Sequence, residues 1–328
     1  MKHLMDALMT LSHTKRTDDY KYNIAAVLYN PETGKVLAKA KNDIPNSFYG
    51  VVGHDAVLGD SGSTIHAEIA VLSMSPVPTE GLALVVTDPP CPNCMKMIIG
   101  AGITRILIYE KGLTKGYWYN SSDEIDVPRK KYFDDVSLTF AKQAGVEVLV
   151  VNEAGELVNF LLPKKQVEWQ TQSIMRRVTD HKLLEDYTDA IKAQPHAIAV
   201  ASDADGVAYA IITVEEYTKG MNEEVEAAIR AKFDVLRYRL KLDALSHMLS
   251  FCAAKNLSLK NSPVYISEIP TSRCIVNAVG AGVGSFGLAT MDAQSDKSKN
   301  ALHALEALKK HGLVKAAHVS KIQQFLDI

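Results

Sequence analysis

Along the first half of the chain, the hydrophobic positions change period from segment to segment. In MKHLMDALMTLSHTK, Met5, Leu8, Met9 and Ser12 fall at helical spacing and predict a first amphipathic helix. NIAAVLYN (23–30) and KVLAKA (35–40) read as strands joined by PETG, in which Pro31 and Gly34 supply the turn dihedrals. STIHAEIAVLSM (63–74) predicts a helix with Ser63 or Thr64 as N-cap and Ile65, Ile69 and Leu72 inward. GLALVVTD (81–88) is almost wholly apolar, as a central strand covered on both faces should be. CPNCMKMIIGAG (91–102) is a short helix ending on glycine, and TRILIYE (104–110) a buried strand. YFDDVSLTFAKQAG (132–145) and VEVLVVN (146–152) add one more helix and strand. The order α-β-β-α-β-α-β-α-β predicts a sheet with helices on its faces, mostly parallel after an initial hairpin.

A linker is expected around 160–166, near PKKQ, and the second half then repeats the pattern. A helix over 167–193, strands HAIAVAS and VAYAII around the turn DADG, and a long helix through 237–255 are expected. The strands PVYIS and FGLAT and a last helix, NALHALEALKK, complete it. DPPCPNCMKMIIGAG (88–102) returns 180 positions later as EIPTSRCIVNAVGAG (268–282). Pro90/Pro270, Cys94/Cys274, Gly100/Gly280, Ala101/Ala281 and Gly102/Gly282 are identical. Similarity at one offset, in residues and in element order, points to tandem duplication. The expected architecture is α/β, a three-layer α-β-α sheet of about five strands present twice, with domains at 1–160 and 161–328.

At 328 residues the chain has the length of about two domains. A net charge of −2 gives no electrostatic case for nucleic acid or a membrane surface, which disfavours both as partners. The apolar runs are shorter than a membrane span, and Asp6 and His3 make the start too polar for a signal peptide. Four cysteines, two of them in one C-x-x-C, fit a reducing, cytoplasmic setting better than a disulfide framework.

That composition directs attention to Cys91 and Cys94. A lone C-x-x-C suits half a zinc ribbon, a redox pair or a metal site. Its two thiolates lie on one turn, and His66 supplies a third candidate ligand for tetrahedral Zn²⁺, leaving the fourth position open to water. Glu68, two residues beyond His66 on the same predicted helix, is offset in direction and suited to exchange a proton with that water. The N-termini of both helices would face the site and favour thiolates.

H-x-E followed by P-C-x-x-C is the signature of zinc nucleobase deaminases, and residues 1–151 resemble the cytidine/deoxycytidylate deaminase superfamily. The resemblance implies His66, Cys91 and Cys94 as zinc ligands and Glu68 as proton shuttle. It also implies Asn42 as a sugar or base contact and Ala67 as the residue whose backbone N–H meets the base carbonyl. PCPNCMKMIIGAGITRILIY followed by AKQAGVEVLVV looks most like deoxycytidylate deaminases. The loop 42–64 lacks the cysteine that some of them use for a second zinc, and the insertion 110–131 is unusual. Within that insertion, Tyr117, Trp118 and Tyr119 suit stacking on a base or cover of an interface. Lys111, Lys115, Arg129, Lys130 and Lys131 suit a phosphate or a solvated face, and His54 and Asp55 the site or solvent.

At the 180-residue offset, Cys91 becomes Thr271, His66 becomes Ser246 and Glu68 becomes Met248. A shift of one brings His247 opposite His66 and Leu249 opposite Glu68. The second half is therefore expected to hold no metal and to serve as an intrachain pseudo-dimer partner, with homodimerisation left open. The expected activity is zinc-dependent hydrolytic deamination of a free nucleotide or nucleoside, of cytosine type such as dCMP, with water as co-substrate. The competing readings are a tRNA or single-stranded nucleic-acid deaminase, a guanine or other free-base deaminase, and a zinc-stabilised scaffold without activity.

Overall fold

The computed structural model describes residues 1–13, 23–53, 56–114, 130–178, 187–233, 236, 238–319 and 322. They form two compact units, each discontinuous in sequence. Unit one holds Met1–Asn42, His66–Gln170 and Tyr217–Leu242; unit two holds Asp43–Ile65, Thr171–Glu216 and Asp243–Ile328. Each half of the chain thus lends one segment to the other unit.

Unit one is built on six strands: β1 (Ala25–Tyr29), β2 (Val36–Lys41), β3 (Ala83–Val86), β4 (Arg105–Tyr109), β5 (Glu147–Val151) and β6 (Leu157–Leu162). Their spatial order is β2-β1-β3-β4-β5-β6. β1 runs antiparallel to both neighbours, β3, β4 and β5 are parallel, and β6 returns antiparallel on β5. All four residues of β3 are buried, as its unbroken apolar run requires. Helix α1 (Lys2–His13) lays Leu4, Met5, Leu8 and Met9 on Val27, Tyr29, Val85 and Leu107. Helix α2 (Ala67–Ser73) packs on β1 and β2, and α3 (Pro92–Gly100) packs against α2 and α4 (Leu138–Ala144). The segment from the second half adds α5 (Glu223–Arg230), whose N-cap Asn222 accepts from the Val225 N–H.

Unit two repeats the plan with β7 (Ile174–Arg177), β8 (His196–Ser202), β9 (Ala208–Val214), β10 (Pro263–Ile266), β11 (Ser285–Leu288) and β12 (Lys315–His318). Its helices are α6 (Ala244–Lys255), α7 (Ser272–Gly280) and α8 (Asp296–Lys310). The order is β7-β9-β8-β10-β11-β12, and β9-β8-β10-β11-β12 reproduces β2-β1-β3-β4-β5 in order and in every pairing direction. The sixth strands differ: β6 extends the sheet beside β5, whereas β7 extends it beside β9.

The correspondence reaches single hydrogen bonds. Thr87 N–H donates to Ala25 O while its hydroxyl oxygen accepts from Ala25 N–H; Ser267 and His196 repeat both bonds. Gly102 and Gly282 close the two GAG turns at φ 74° and 94°, and each carbonyl accepts from another positive-φ residue, Gly81 or Asn261. A left-handed backbone at both positions explains why this glycine is present twice.

Three expectations change. Residues 167–193 do not form one helix: Ile174–Arg177 pair as a strand on Ile212–Tyr209, and only Asp189–Lys192 make a helical turn among the described residues. An open sheet edge outweighed the local helical pattern. The long helix begins at Ala244, where the Asp243 carboxylate accepts from the Ser246 N–H. Helix α2 is capped by His66 and not by Ser63 or Thr64, because Ile65 is held extended by paired backbone bonds with Asp43.

Candidate metal centre

Two strand-to-helix junctions build the site. His66, φ −70° and ψ 145°, is the last extended residue before α2. Cys91, φ −65° and ψ 162°, is the last before α3, which opens on Pro92, a residue whose fixed φ suits the first helical position. Cys94 follows one turn later, buried. His66 Nδ1 lies 3.3 Å from Cys94 Sγ and 3.8 Å from Cys91 Sγ, and the three ligand atoms all fall within 4.8 Å of one another. One imidazole nitrogen and two sulfurs so gathered fit three corners of a zinc tetrahedron, with the fourth left to a non-protein ligand. Such a group of three occurs only here among the described residues.

The electrostatics suit that chemistry. A hydrogen bond from Cys94 holds the Cys91 thiol well below its ordinary range, against burial, with His66 adding in the same direction. A thiolate is the form that binds metal. Glu68 is 4% exposed, and burial pushes its carboxyl up to about 7, with Cys91 and Asp88 adding to the rise and His66 opposing it. Asp88, at the end of β3, is a buried acidic neighbour that the motif does not announce.

Asn42 and Ala67 are both buried. Ala67 is the first residue of α2. Asn42 leaves β2 with its N–H on Ile24 O, and the neighbouring Asp43–Ile65 bridge brings it beside His66, distant though the two are in sequence. Tyr117, Trp118, Tyr119, Lys115, Arg129, His54 and Asp55 lie outside the described residues. Lys111 pairs with Glu153, Lys130 with Asp134 and Lys131 with Asp135, which accounts for this part of the basic run as surface ion pairs.

The second half carries a different set at the same junctions. The N-cap of α6 is Asp243 and that of α7 is Thr271. Asp243 is therefore the counterpart of His66, three residues before Ser246, and Leu245 replaces Glu68. Cys274 Sγ donates to Asp243 Oδ2 at 3.3 Å, lies 2.9 Å from Thr271 Oγ1 and is 3.3 Å from Ser246 Oγ. Burial, reinforced by Asp243, pushes the Cys274 thiol up to about 12, so it stays protonated. His247 is buried elsewhere in the unit, its Nε2 3.0 Å from Ser173 Oγ and its Nδ1 3.0 Å from Val214 O.

Among the described residues, no helix is long and apolar enough to cross a membrane. No curated protein matches the sequence. Among solved structures, the chain is similar to dCMP deaminase from the cyanophage S-TIM5 in complex with dCMP and dUMP. The identity is 22%, over 46% of this chain and 95% of that one, with a TM-score of 0.32. The apo form of that enzyme gives 24% identity over the same shares, with a TM-score of 0.30. A structure from work on A-to-I editing by tRNA:A34 deaminases gives 27% identity over 33% of this chain and 74% of that one, with a TM-score of 0.24. Residues 1–110 match the model of the cytidine and deoxycytidylate deaminase zinc-binding region, a stretch that contains His66, Glu68, Cys91 and Cys94. Those four residues thus lie in the part of the chain that is similar to the zinc-binding region of cytidine and deoxycytidylate deaminases.

Proposed function

We propose that the chain hydrolytically deaminates the base of a free nucleotide or nucleoside, of cytosine type such as dCMP. Residues 1–160 act as the catalytic domain and 161–328 as a degenerate copy that holds no zinc. The observation that carries this reading is the convergence of His66, Cys91 and Cys94 with Glu68 buried beside them. His66 Nδ1 and the sulfurs of Cys91 and Cys94 hold the zinc. A zinc ion there supplies Lewis acidity, which brings the pKa of a water molecule toward neutrality.

Glu68 takes a proton at a carboxylate oxygen and returns it to the exocyclic nitrogen, which departs as ammonia. Its burial excludes bulk water from that transfer. Asn42 contacts the sugar or the base, and the Ala67 N–H meets the base carbonyl; both positions flank His66. The net charge of −2 and the ion-paired lysines favour a small substrate over a polynucleotide.

An ammonia-release panel tests this reading. Zinc-loaded protein is offered dCMP, deoxycytidine, cytosine, guanine and tRNA at equal concentration. Release from dCMP or deoxycytidine is expected. Release from tRNA alone would replace the substrate class, and release from none would leave a zinc-bound scaffold.

A further inference from the structure

Helix α3 carries two of the three candidate zinc ligands at its N-terminus, and its Lys96 is 2% exposed. Lys96 lies two residues beyond Cys94, about 200° around the helix, so it leaves the side opposite the metal cluster. Its Nζ donates to Arg239 O at 2.8 Å and to Lys241 O at 2.7 Å. Both carbonyls belong to 217–242, the segment that the second half lends to unit one. A buried ammonium is tolerated only where hydrogen bonds replace its lost hydration, and two carbonyls from one strand of chain do so here.

Further contacts hold the same segment. The Phe233 ring stacks on Tyr132 at 5.0 Å and 4°, and Tyr238 meets Tyr132 edge-on at 5.0 Å. Lys232 Nζ pairs with Asp135 at 2.9 Å. Unit two shows the reciprocal arrangement. Ser272 Oγ donates to Asp60 Oδ1 at 2.7 Å and the Arg273 guanidinium to Thr64 O, so α7 grips the segment lent by the first half.

We propose that Lys96 is a positioning residue for the metal centre: it clasps residues 217–242 onto α3 and so makes the ligand helix depend on the second half of the chain. Without the ammonium, the Arg239 and Lys241 carbonyls lose this donor, the segment lifts, and α3 opens locally, exposing its ligand turn. The silent half thereby acts on the working site through packing. The proposal rests on the reading of His66, Cys91 and Cys94 as zinc ligands, but its test does not depend on deamination.

The test uses full-length Lys96→Met. Zinc transfer to a chromogenic chelator and amide hydrogen exchange are followed at a temperature well below unfolding. Zinc release is expected to accelerate about tenfold or more, the factor that one charge-assisted hydrogen bond represents. Exchange should rise in 217–242 and α3 and stay unchanged in α6 and α7. If wild-type protein takes up no zinc, the ligand reading fails, and exchange in α3 still decides the clasp. Should Lys96→Met not fold, Asp135→Asn loosens the same segment from the surface, with an expected rise in release of about two- to fivefold. Faster exchange in 217–242 with α3 and zinc release unmoved, or a uniform rise across both units, overturns the proposal.

Discussion

Asp243 stands to Cys274 as His66 stands to Cys94. Each caps the helix that follows the antiparallel pair β1-β2 or β8-β9 of its sheet, and each meets the cysteine one turn into the next helix. His66 Nδ1 and Cys94 Sγ are 3.3 Å apart, as are Asp243 Oδ2 and Cys274 Sγ. The first set offers donors to a metal. The second set offers a thiol proton to a carboxylate and closes on itself by hydrogen bonds.

If this is the same site with its ligands exchanged, two substitutions should restore it. Asp243→His with Thr271→Cys rebuilds His-Cys-Cys around native Cys274. Zinc measured by elemental analysis on folded protein should rise from about one per chain to about two, the donor set then matching a three-ligand site. A folded double variant that still binds about one would show that the geometry of the second half does not match.

Ligand and proton shuttle should separate by mutation. Glu68→Gln keeps the shape of the side chain but cannot take a proton, so zinc content should hold. Ammonia release should fall by about 10²–10⁴, the range for a general acid-base group. Cys91→Ala removes a ligand and should lose zinc and activity together. Near-normal turnover in Glu68→Gln would sink the proton role.

The five-strand core, the helices at both site junctions and the grouping of His66, Cys91 and Cys94 were legible in the sequence because each depends on local pattern: period, caps and a short motif. The counterpart of His66 was not. A constant offset of 180 points to Ser246 or His247, whereas the cap of α6 is Asp243, because α6 (Ala244–Lys255) is longer than α2 (Ala67–Ser73) and the register slips between the cap and the cysteine helix. Strand β7 was hidden for a different reason. Ile174–Arg177 are strand only because the edge of β9 accepts them. The exchange of 43–65 and 217–242 is a choice of distant partners, and no local pattern encodes it.

The GAG turns make a paired stability prediction. A Cβ on Gly102 would add left-handed strain at φ 74° and come within 2.9 Å of Glu80 Cα; on Gly282, at φ 94°, it would come within 3.1 Å of Lys260 Cα. Gly102→Ala and Gly282→Ala should each cost at least about 1–2 kcal/mol from the backbone alone. Gly284→Ala, with nothing within 4 Å of its Cβ, should stay within about 0.5 kcal/mol of wild type. Urea midpoints of the three variants check this.

Stability should also fall with pH in a defined direction, through two buried histidines of unit two. Burial lowers the pKa of His247, with Glu216, the Val214 carbonyl and Asp243 opposing the shift. Burial likewise lowers that of His196, whose Nδ1 faces Gln194 O and whose Nε2 faces the Tyr187 hydroxyl. The unfolded chain takes up these protons first, near the ordinary value of about 6.5. Between that value and the lower folded values, the unfolded state binds more protons, so stability rises with pH. The contribution is complete above about 6.5 and is lost as pH falls toward the folded values. Urea midpoints at descending pH should therefore drop below about pH 6.5. His247→Gln, which cannot titrate, should flatten that drop even though it lowers the midpoint at neutral pH. An unchanged slope in the variant would assign the acid sensitivity to other groups.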